Sequence, residues 1–344
     1  MNNIKKRYND VKNVVNYLNN KYYIGKLYLL IDILICKIKY KANIYDYKLF
    51  SMHLLNGKER KTILTSGKNL SLINNLNDLN KIHIFEEKNE FNDVFNDYLK
   101  RKWMFINRIN YDEFEKFVKN MNYIIAKQNS NTNGKKIEKI KVGDYNNLKT
   151  LYNYLKDKDL LLIEEEIKQH DYLNKLYNKS VNSINVVTIS INNITYIISM
   201  YLNIGNNSIV DSLKRGGMIN KLDIETGTSL HPFCDRGLNN YYFHPISKEK
   251  INNIKIPYLN EIKSLVNDLS KIIPSVKYIN WDIAITNNGP ILIGASAFPD
   301  IYYQFYIQNE ENKGILPIIE EILKKNDNLN SIEIKKDDKL SISN

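Results

Sequence analysis

The chain has 344 residues, 43% of them hydrophobic and 25% charged, with a formal net charge of +11 and a pI near 9.2. That is the composition of an ordinary globular protein, long enough for one large or two modest domains with real cores. Its two cysteines, Cys36 and Cys234, exclude a disulfide framework or a cysteine-based metal cluster and fit a reduced, cytoplasmic location. Taken over the whole chain, the positive charge is a lysine-rich compositional bias and carries no functional weight.

Residues 1–65 read as a helical lead-in. Val11, Val14, Val15 and Leu18 recur at helical spacing, as do Leu27, Leu30, Ile31 and Leu34. Asn2–Asp10 is polar and no small-residue cleavage site follows, so no cleavable leader is expected. The most apolar stretch, Leu27–Ile38, is too short for a bilayer, which needs about 20 residues, and is expected as a core helix rather than an interfacial one. Leu70–Leu79, rich in Asn and Asp, reads as loop or frayed helix.

From residue 66 to 166 the pattern alternates between helix and strand. Asn110 and Glu113 make a capping box for a helix through Phe114 and Phe117. Tyr123–Ala126 is a short strand ending at Lys127, and a polar loop over 128–135 leads to a second strand at Ile137–Val142. A helix from Asp144 carries Leu148, Leu151, Tyr152 and Leu155 on one face. Leu160–Ile163 is a buried strand that ends in Glu164, Glu165 and Glu166.

Residues 167–325 hold an antiparallel pair, Ile184–Ile191 and Ile194–Leu202, turning at Asn192-Asn193. A short strand is expected at Ile209-Val210, then a Gly216-Gly217 step, a hairpin at Thr226-Gly227 and a helix through Leu259, Ile262, Leu265 and Leu269. A second hairpin follows, Ile279–Ile285 and Ile291–Ile293, turning through Asn287–Pro290 where an Asn-Gly pair tolerates positive φ. Ile315–Lys325 closes as a helix, and residues 326–344 read as a mobile polar tail.

Chemistry concentrates at a few points. Asp282 is a carboxylate in an apolar strand, costly there unless a metal ion, arginine or lysine answers it. Lys127 ends a strand before a loop containing Gly134, where an ammonium and backbone amides can hold a di- or triphosphate. Glu164–Ile167 emerges from a buried strand with Gln169-His170 behind it.

The order of these features resembles the ATP-grasp superfamily. LLIEEEIKQHDYLNKLYNKSVNSINVVT and VDSLKRGGMINKLDIETG, with HPIS at His244–Ser247 and NWDIAIT, resemble the sugar-transfer-associated, glutamate-ligase-related family more narrowly, over roughly residues 40–320. The resemblance implies an α+β ATP-grasp fold in which two α+β subdomains clasp a nucleotide. It implies ATP and Mg²⁺ as cofactors. Lys81, Lys127 and the loop with Gly134 would contact phosphates, and Glu164, Glu165 and Ile167 would form the adenine and ribose hinge near His170. Asp211 would face the phosphates, Lys214 and Arg215 would orient a substrate carboxylate, and Asp282 with Ser296 would hold the metal. The chain departs from the family where the strand-entry Arg is Asn185, the Asn after Asp211 is Ser212, and the hairpin Glu and Asn are Gly294 and Ser296.

The expected activity is an ATP-dependent carboxylate–amine ligase in polysaccharide or capsule assembly, working through an acyl phosphate. Its expected partners are a small-molecule carboxylate and an amine or sugar-linked acceptor, with neither nucleic acid nor a transmembrane segment, and peripheral association with glycan-assembly enzymes. The alternative is a catalytically impaired ATP-grasp protein serving as a nucleotide- or partner-binding module. A basic nucleic-acid binder rests on charge alone, without a basic stripe or aromatic motif.

Overall fold

Apolar residues recurring every three to four positions along the first forty residues build two long helices in the computed structural model, which describes residues 2–130, 137–237, 239–301, 304 and 313–325. Gly134 and the tail over 326–344 lie outside the described residues. The chain divides into two compact units, Met1–Asn75 with Ile301–Asn344, and Leu76–Asp300.

The first unit is helical: α1 (Asn2–Tyr22), α2 (Lys26–Tyr40), α3 (Ile44–Leu49), α4 (Gly57–Thr62) and α5 (Ser66–Leu76). Capping boxes at Asn43/Asp46 and Asn56/Glu59 start α3 and α4. Of the two expectations for Leu70–Leu79, loop or frayed helix, the helix holds over most of its length, as α5. Its Leu72, Ile73 and Leu76 are buried, and their spacing outweighs the poor helix propensity of the asparagines.

The expectation of a core helix at Leu27–Ile38 holds for one face only. That face of α2 carries Leu29, Asp32, Cys36 and Tyr40. Asp32 is answered there by Arg60, whose Nη1 and Nη2 donate at 2.7 and 2.8 Å, and by the Tyr47 hydroxyl at 2.7 Å. The other face is apolar and exposed, with Leu27 at 72% and Ile38 at 74% of full accessibility.

The second unit has two antiparallel sheets. Between α5 and the first strand, short helices α6 (His83–Glu86), α7 (Lys88–Val94) and α8 (Asn96–Leu99) carry Phe85, Phe91 and Phe95. The smaller sheet has four strands: β1 (Trp103–Phe105), β2 (Tyr123–Lys127), β3 (Ile137–Lys141) and β4 (Leu162–Glu165), in the order β1-β4-β2-β3. One of its faces packs Ile124, Ala126 and Ile163 on α9 (Tyr111–Val118) and α10 (Leu148–Asp157). The Asn110/Glu113 capping box starts α9 as expected. The helix expected from Asp144 begins at Leu148 instead, capped by Asn147, because Val142–Asp144 forms a 3-10 turn.

After α11 (Asp171–Leu176), the larger sheet is built from β5 (Ile184–Ile191), β6 (Ile194–Ile204), β7 (Met218–Leu222), β8 (Phe233–Cys234), β9 (Asn240–Tyr241), β10 (Tyr278–Thr286) and β11 (Gly289–Ser296). Their order is β11-β10-β5-β6-β7-β8-β9, and α12 (Leu259–Leu269) precedes β10. Trp281 is fully buried between Phe85 and Phe95, at ring distances of 6.3 and 5.7 Å, with its indole N–H on Thr188. Asn77 clamps the start of β10 and the exit of β11: its amide donates to the Tyr278 and Ala297 carbonyls and accepts from Lys277 and Tyr278 N–H.

Two expectations need correction here. Ile209-Val210 forms no strand; the chain bends there, with Asn207 at positive φ and Ser208 N–H bonded to the Tyr177 hydroxyl. At the β10–β11 turn Gly289 takes the positive φ (+112°), and neither Asn287 nor Asn288 does. A final helix, α13 (Leu316–Lys325), belongs to the first unit.

Candidate active site

Strand alternation decides which side chains meet. In β4, Ile163 and Glu165 face one way and Glu164 the other, and β2 places Lys127 on Glu164's side. Glu164 is buried with every carboxylate oxygen engaged. Oε1 accepts from Arg101 at 2.9 Å and Asn92 at 3.1 Å, and Oε2 accepts from Lys127 at 2.5 Å. Burial works against the charged carboxylate, but Arg101 and Lys127 outweigh it and hold the group well below the usual range. Arg101 also donates to the carbonyls of Leu292 and Ile293 at 2.6 and 3.1 Å, so one guanidinium ties the smaller sheet to β11.

Lys88, the first residue of α7, comes beside Lys127. Its ammonium rests on the Ser130 and Asn129 carbonyls at 2.9 and 3.3 Å. Burial and the Lys127 charge push it down to about 8, with Glu164 and Glu87 opposing. Lys81, the lysine expected at the phosphates, lies exposed on the 3-10 turn Leu79–Lys81. The lysine the fold gives Lys127 as a neighbour is therefore Lys88.

On the larger sheet, Asp282 stands opposite Asn185 in β5 and Gly294 in β11, and Asn280 stands opposite Ser296. Asn280 Nδ2 donates to Asp282 Oδ1 at 3.0 Å and reaches Asn185 Oδ1 at 3.4 Å. With both acceptors on the amide nitrogen, the other atom is oxygen. That oxygen, Asn280 Oδ1, is buried and has no hydrogen-bond partner among the described residues. Burial pushes the Asp282 carboxyl up to about 7, the negative charge of Asp211 pushes the same way, and Asn280 and Lys127 oppose them. Asp211 is raised as well, by burial against the bonds it accepts from Ser183 N–H and Oγ at 2.7 and 2.6 Å. Two carboxyls are thus held above their ordinary range in one region, Asp282 partly by the charge of Asp211.

The chain leaves Asp211 through the 3-10 turn Leu213–Arg215, on which Lys214 and Arg215 are exposed. Gly216 closes the turn at φ +87°, and a Cβ on Gly217 would meet the Asp211 carbonyl oxygen at 2.2 Å, so the Gly-Gly step is what lets β7 begin so close to Asp211.

Glu165 is exposed at the β1 edge, where its N–H donates to the Lys102 carbonyl and Oε2 accepts from Lys102 N–H. Glu166 pairs with Lys139, and Ile167 follows, half-buried. His170 caps α11, its Nδ1 accepting from Tyr172 N–H at 3.1 Å, and its own N–H donates to the Ile285 carbonyl. Ser296 Oγ donates to the Phe298 carbonyl and accepts its N–H, both at 3.1 Å, which engages the hydroxyl offered as a metal ligand.

Lys88, Arg101 and Asn280 escaped the sequence reading. Lys88 heads an apolar-periodic helix and Asn280 lies two residues before Asp282 on the same strand face, signals that were present; Arg101 sits in a charged run with nothing to distinguish it. Among the described residues no group of three or more His, Cys, Asp or Glu could hold a metal by itself. Asp282, Asp211 and the orphaned Asn280 oxygen nevertheless form an all-oxygen donor set of the kind a hard divalent cation takes together with phosphate oxygens and water. On that chemistry the residues fit Mg²⁺.

Residues 117–322 match the family model described as sugar-transfer associated ATP-grasp. No curated protein sequence matches the chain. Among solved structures, the ADP complex of N5-carboxyaminoimidazole ribonucleotide synthetase aligns at TM-score 0.41 and 10% identity, over 66% of this chain and 48% of that one, so the chain spans about half of that enzyme's length. The ATP-grasp ligase PsnB, complexed with minimal precursor, Mg and ADP, aligns at 0.42 and 12% identity, over 80% of this chain and 72% of that one. D-alanine–D-alanine ligase from Bacillus anthracis aligns at 0.35 and 13% identity, over 70% and 69%.

Proposed function

The chain belongs to the sugar-transfer associated ATP-grasp family, and from that premise we propose that it binds ATP with Mg²⁺ and joins a carboxylate to an amine through an acyl phosphate in the assembly of a surface polysaccharide. The observation that carries this reading is the convergence of Lys88 and Lys127 with the raised Asp282 carboxyl and the unpartnered Asn280 oxygen. Cations on one side and oxygen donors on the other are what a metal-bound polyphosphate needs.

In this reading the ammonium groups of Lys88 and Lys127 offset phosphate charge. Glu164 and the Asn129 and Ser130 carbonyls hold them in place. Asp282, Asp211 and Asn280 Oδ1 hold Mg²⁺, which when bound neutralises phosphate charge and so favours attack at phosphorus. The adenine and ribose fall to the strand end at Glu165–Ile167, near His170. Lys214 and Arg215 orient the substrate carboxylate, whose oxygen bonds to the γ-phosphorus as the bond to the β–γ bridging oxygen breaks, giving ADP and an acyl phosphate. The amine nitrogen then bonds to the carbonyl carbon, phosphate departs, and the amine proton goes to water or phosphate. Catalysis of this kind rests on positioning and charge stabilisation.

A second reading, a binding module that has lost turnover, is favoured by one corner of the site. Gly294 offers no side chain opposite Asp282, and the Ser296 hydroxyl is committed to Phe298. Calorimetric titration of ATP with Mg²⁺ into wild type and Lys88→Met, followed by an assay of ADP release with carboxylate and amine mixtures, separates the two. ATP binding that weakens at least about tenfold in Lys88→Met, with ADP released only when acid and amine are both present, supports the ligase. The same binding without ADP from any mixture supports a nucleotide-binding module, and no ATP binding refutes both the ligase and that module.

A further inference from the structure

The exposed face of α2 is unlike the rest of the surface. At about 100° per residue, Leu27, Leu30, Ile31, Leu34, Ile35 and Ile38 fall on one continuous stripe opposite the buried face, and each is exposed. Lys26 and Lys37 run along one edge of the stripe, and Lys39 with the exposed Tyr28 along the other. Tyr23, 91% exposed, stands in the turn that leads into the helix. A helix whose outer face is aliphatic is costly in water unless something covers it.

Charge indicates what does. Residues 1–75 contain fourteen Lys and Arg against four Asp and Glu, while the rest of the chain has 35 against 34. Ten of the eleven net positive charges therefore sit in the segment that carries α2. Two of its four acids, Asp32 and Asp46, are buried, which leaves the surface more positive still. A second copy of this chain is a poor cover: pairing the stripe with itself would set lysine edges against lysine edges, with no acid on the exposed face to answer them. An anionic bilayer meets both demands, acyl chains for the stripe and phosphates for the lysines.

We propose that α2 is an in-plane membrane helix that seats its aliphatic stripe at the headgroup–acyl boundary of an anionic bilayer, with Lys26, Lys37 and Lys39 reaching the lipid phosphates. Its 15 residues span about 22 Å, less than a hydrocarbon core of about 30 Å, and among the described residues no helix is long and apolar enough to cross a membrane. The helix lies on the bilayer. Interfacial tyrosines, here Tyr23 and Tyr28, suit that depth.

The test is flotation of the full chain, without nucleotide, on vesicles of phosphatidylcholine with and without phosphatidylglycerol, so that its outcome is independent of ATP binding. Wild type should float with the anionic vesicles only, less so as salt is raised. Leu34→Glu with Ile38→Glu should lower binding at least about tenfold, and Lys37→Glu with Lys39→Glu should also weaken it. Both pairs lie at exposed positions, and an unchanged near-ultraviolet circular dichroism spectrum verifies that they fold. Failure of wild type to float, or flotation indifferent to Leu34→Glu with Ile38→Glu, overturns the proposal. So does a wild-type dimer in sedimentation equilibrium that the same substitution dissociates, which would give the face to a second copy.

Discussion

Asp282→Asn isolates the electrostatic strain at the centre of the candidate site. The substitution keeps the side chain's size and leaves an oxygen for Asn280 Nδ2, but removes the charge that burial and Asp211 disfavour. In the folded protein the carboxyl is raised from the ordinary 3.8 to about 7. An acid raised in this way is most favourable to folding at low pH. Its contribution is lost as pH climbs from the unfolded value through the folded one, and is flat above that. At about 1.36 kcal/mol per pH unit, the penalty on wild type above pH 7 is about 4 kcal/mol, and relaxation around a partly exposed group brings it to roughly 2–4 kcal/mol. Asp282→Asn should therefore be more stable than wild type by that amount at pH 8 and nearly equal to it at pH 4. Urea unfolding followed by tryptophan fluorescence reads this directly, because Trp281 is the buried neighbour of Asp282. Mg²⁺ at pH 8 should stabilise wild type and leave the variant unmoved. A variant no more stable than wild type at pH 8, or a difference that does not shrink on acidification, would refute the reasoning.

Two further predictions concern the neighbours of this group. Glu164→Gln strands Arg101 and Lys127 in the interior and should cost about 3–5 kcal/mol in chemical denaturation, with or without nucleotide; a loss under 1 kcal/mol, about the worth of a surface pair, would show that Glu164 is not the anchor of the smaller sheet. Gly294→Glu places a carboxylate opposite Asp282, where an added Cβ finds no heavy atom nearer than Asp282 Oδ2 at 4.0 Å. Thermal unfolding should show the variant less stable than wild type without divalent cation and more responsive to Mg²⁺; equal responses would mean that the two carboxylates do not share a cation.

The larger sheet was legible because near-continuous apolar runs over Ile184–Leu202 and Tyr278–Ile293, broken only at the Asn-rich turns, state the strands. Asp282 stood out for the same reason, as the one charged residue in an apolar run. The partners that give it meaning were not legible. Arg101 reaches across 63 positions to Glu164 and 191 to Leu292, and no local pattern encodes such distances. Lys81 and Lys88 look alike in the sequence, and only the bridge between Glu87 and Ser130, which brings the end of β2 to the head of α7, distinguishes them. β1 is too short, at three residues, to alternate. The outer face of α2 was misjudged because hydrophobicity implies cover without stating whether the chain itself supplies it.

The helical unit also has an awkward place in time. Leu64 exchanges backbone hydrogen bonds with the Gln304 side chain at 3.0 and 2.7 Å, and Thr62 Oγ1 accepts Gly314 N–H at 2.8 Å. These contacts close a loop that contains the whole of Leu76–Asp300. During synthesis α1 to α5 emerge before both sheets, yet the residues that complete their packing emerge only after both sheets have left the ribosome. Until then the helical unit is left partly built, and the aliphatic side of α2 is already on display, as it still is in the folded chain. A nascent chain in that condition has reason to meet its covering surface before it is finished.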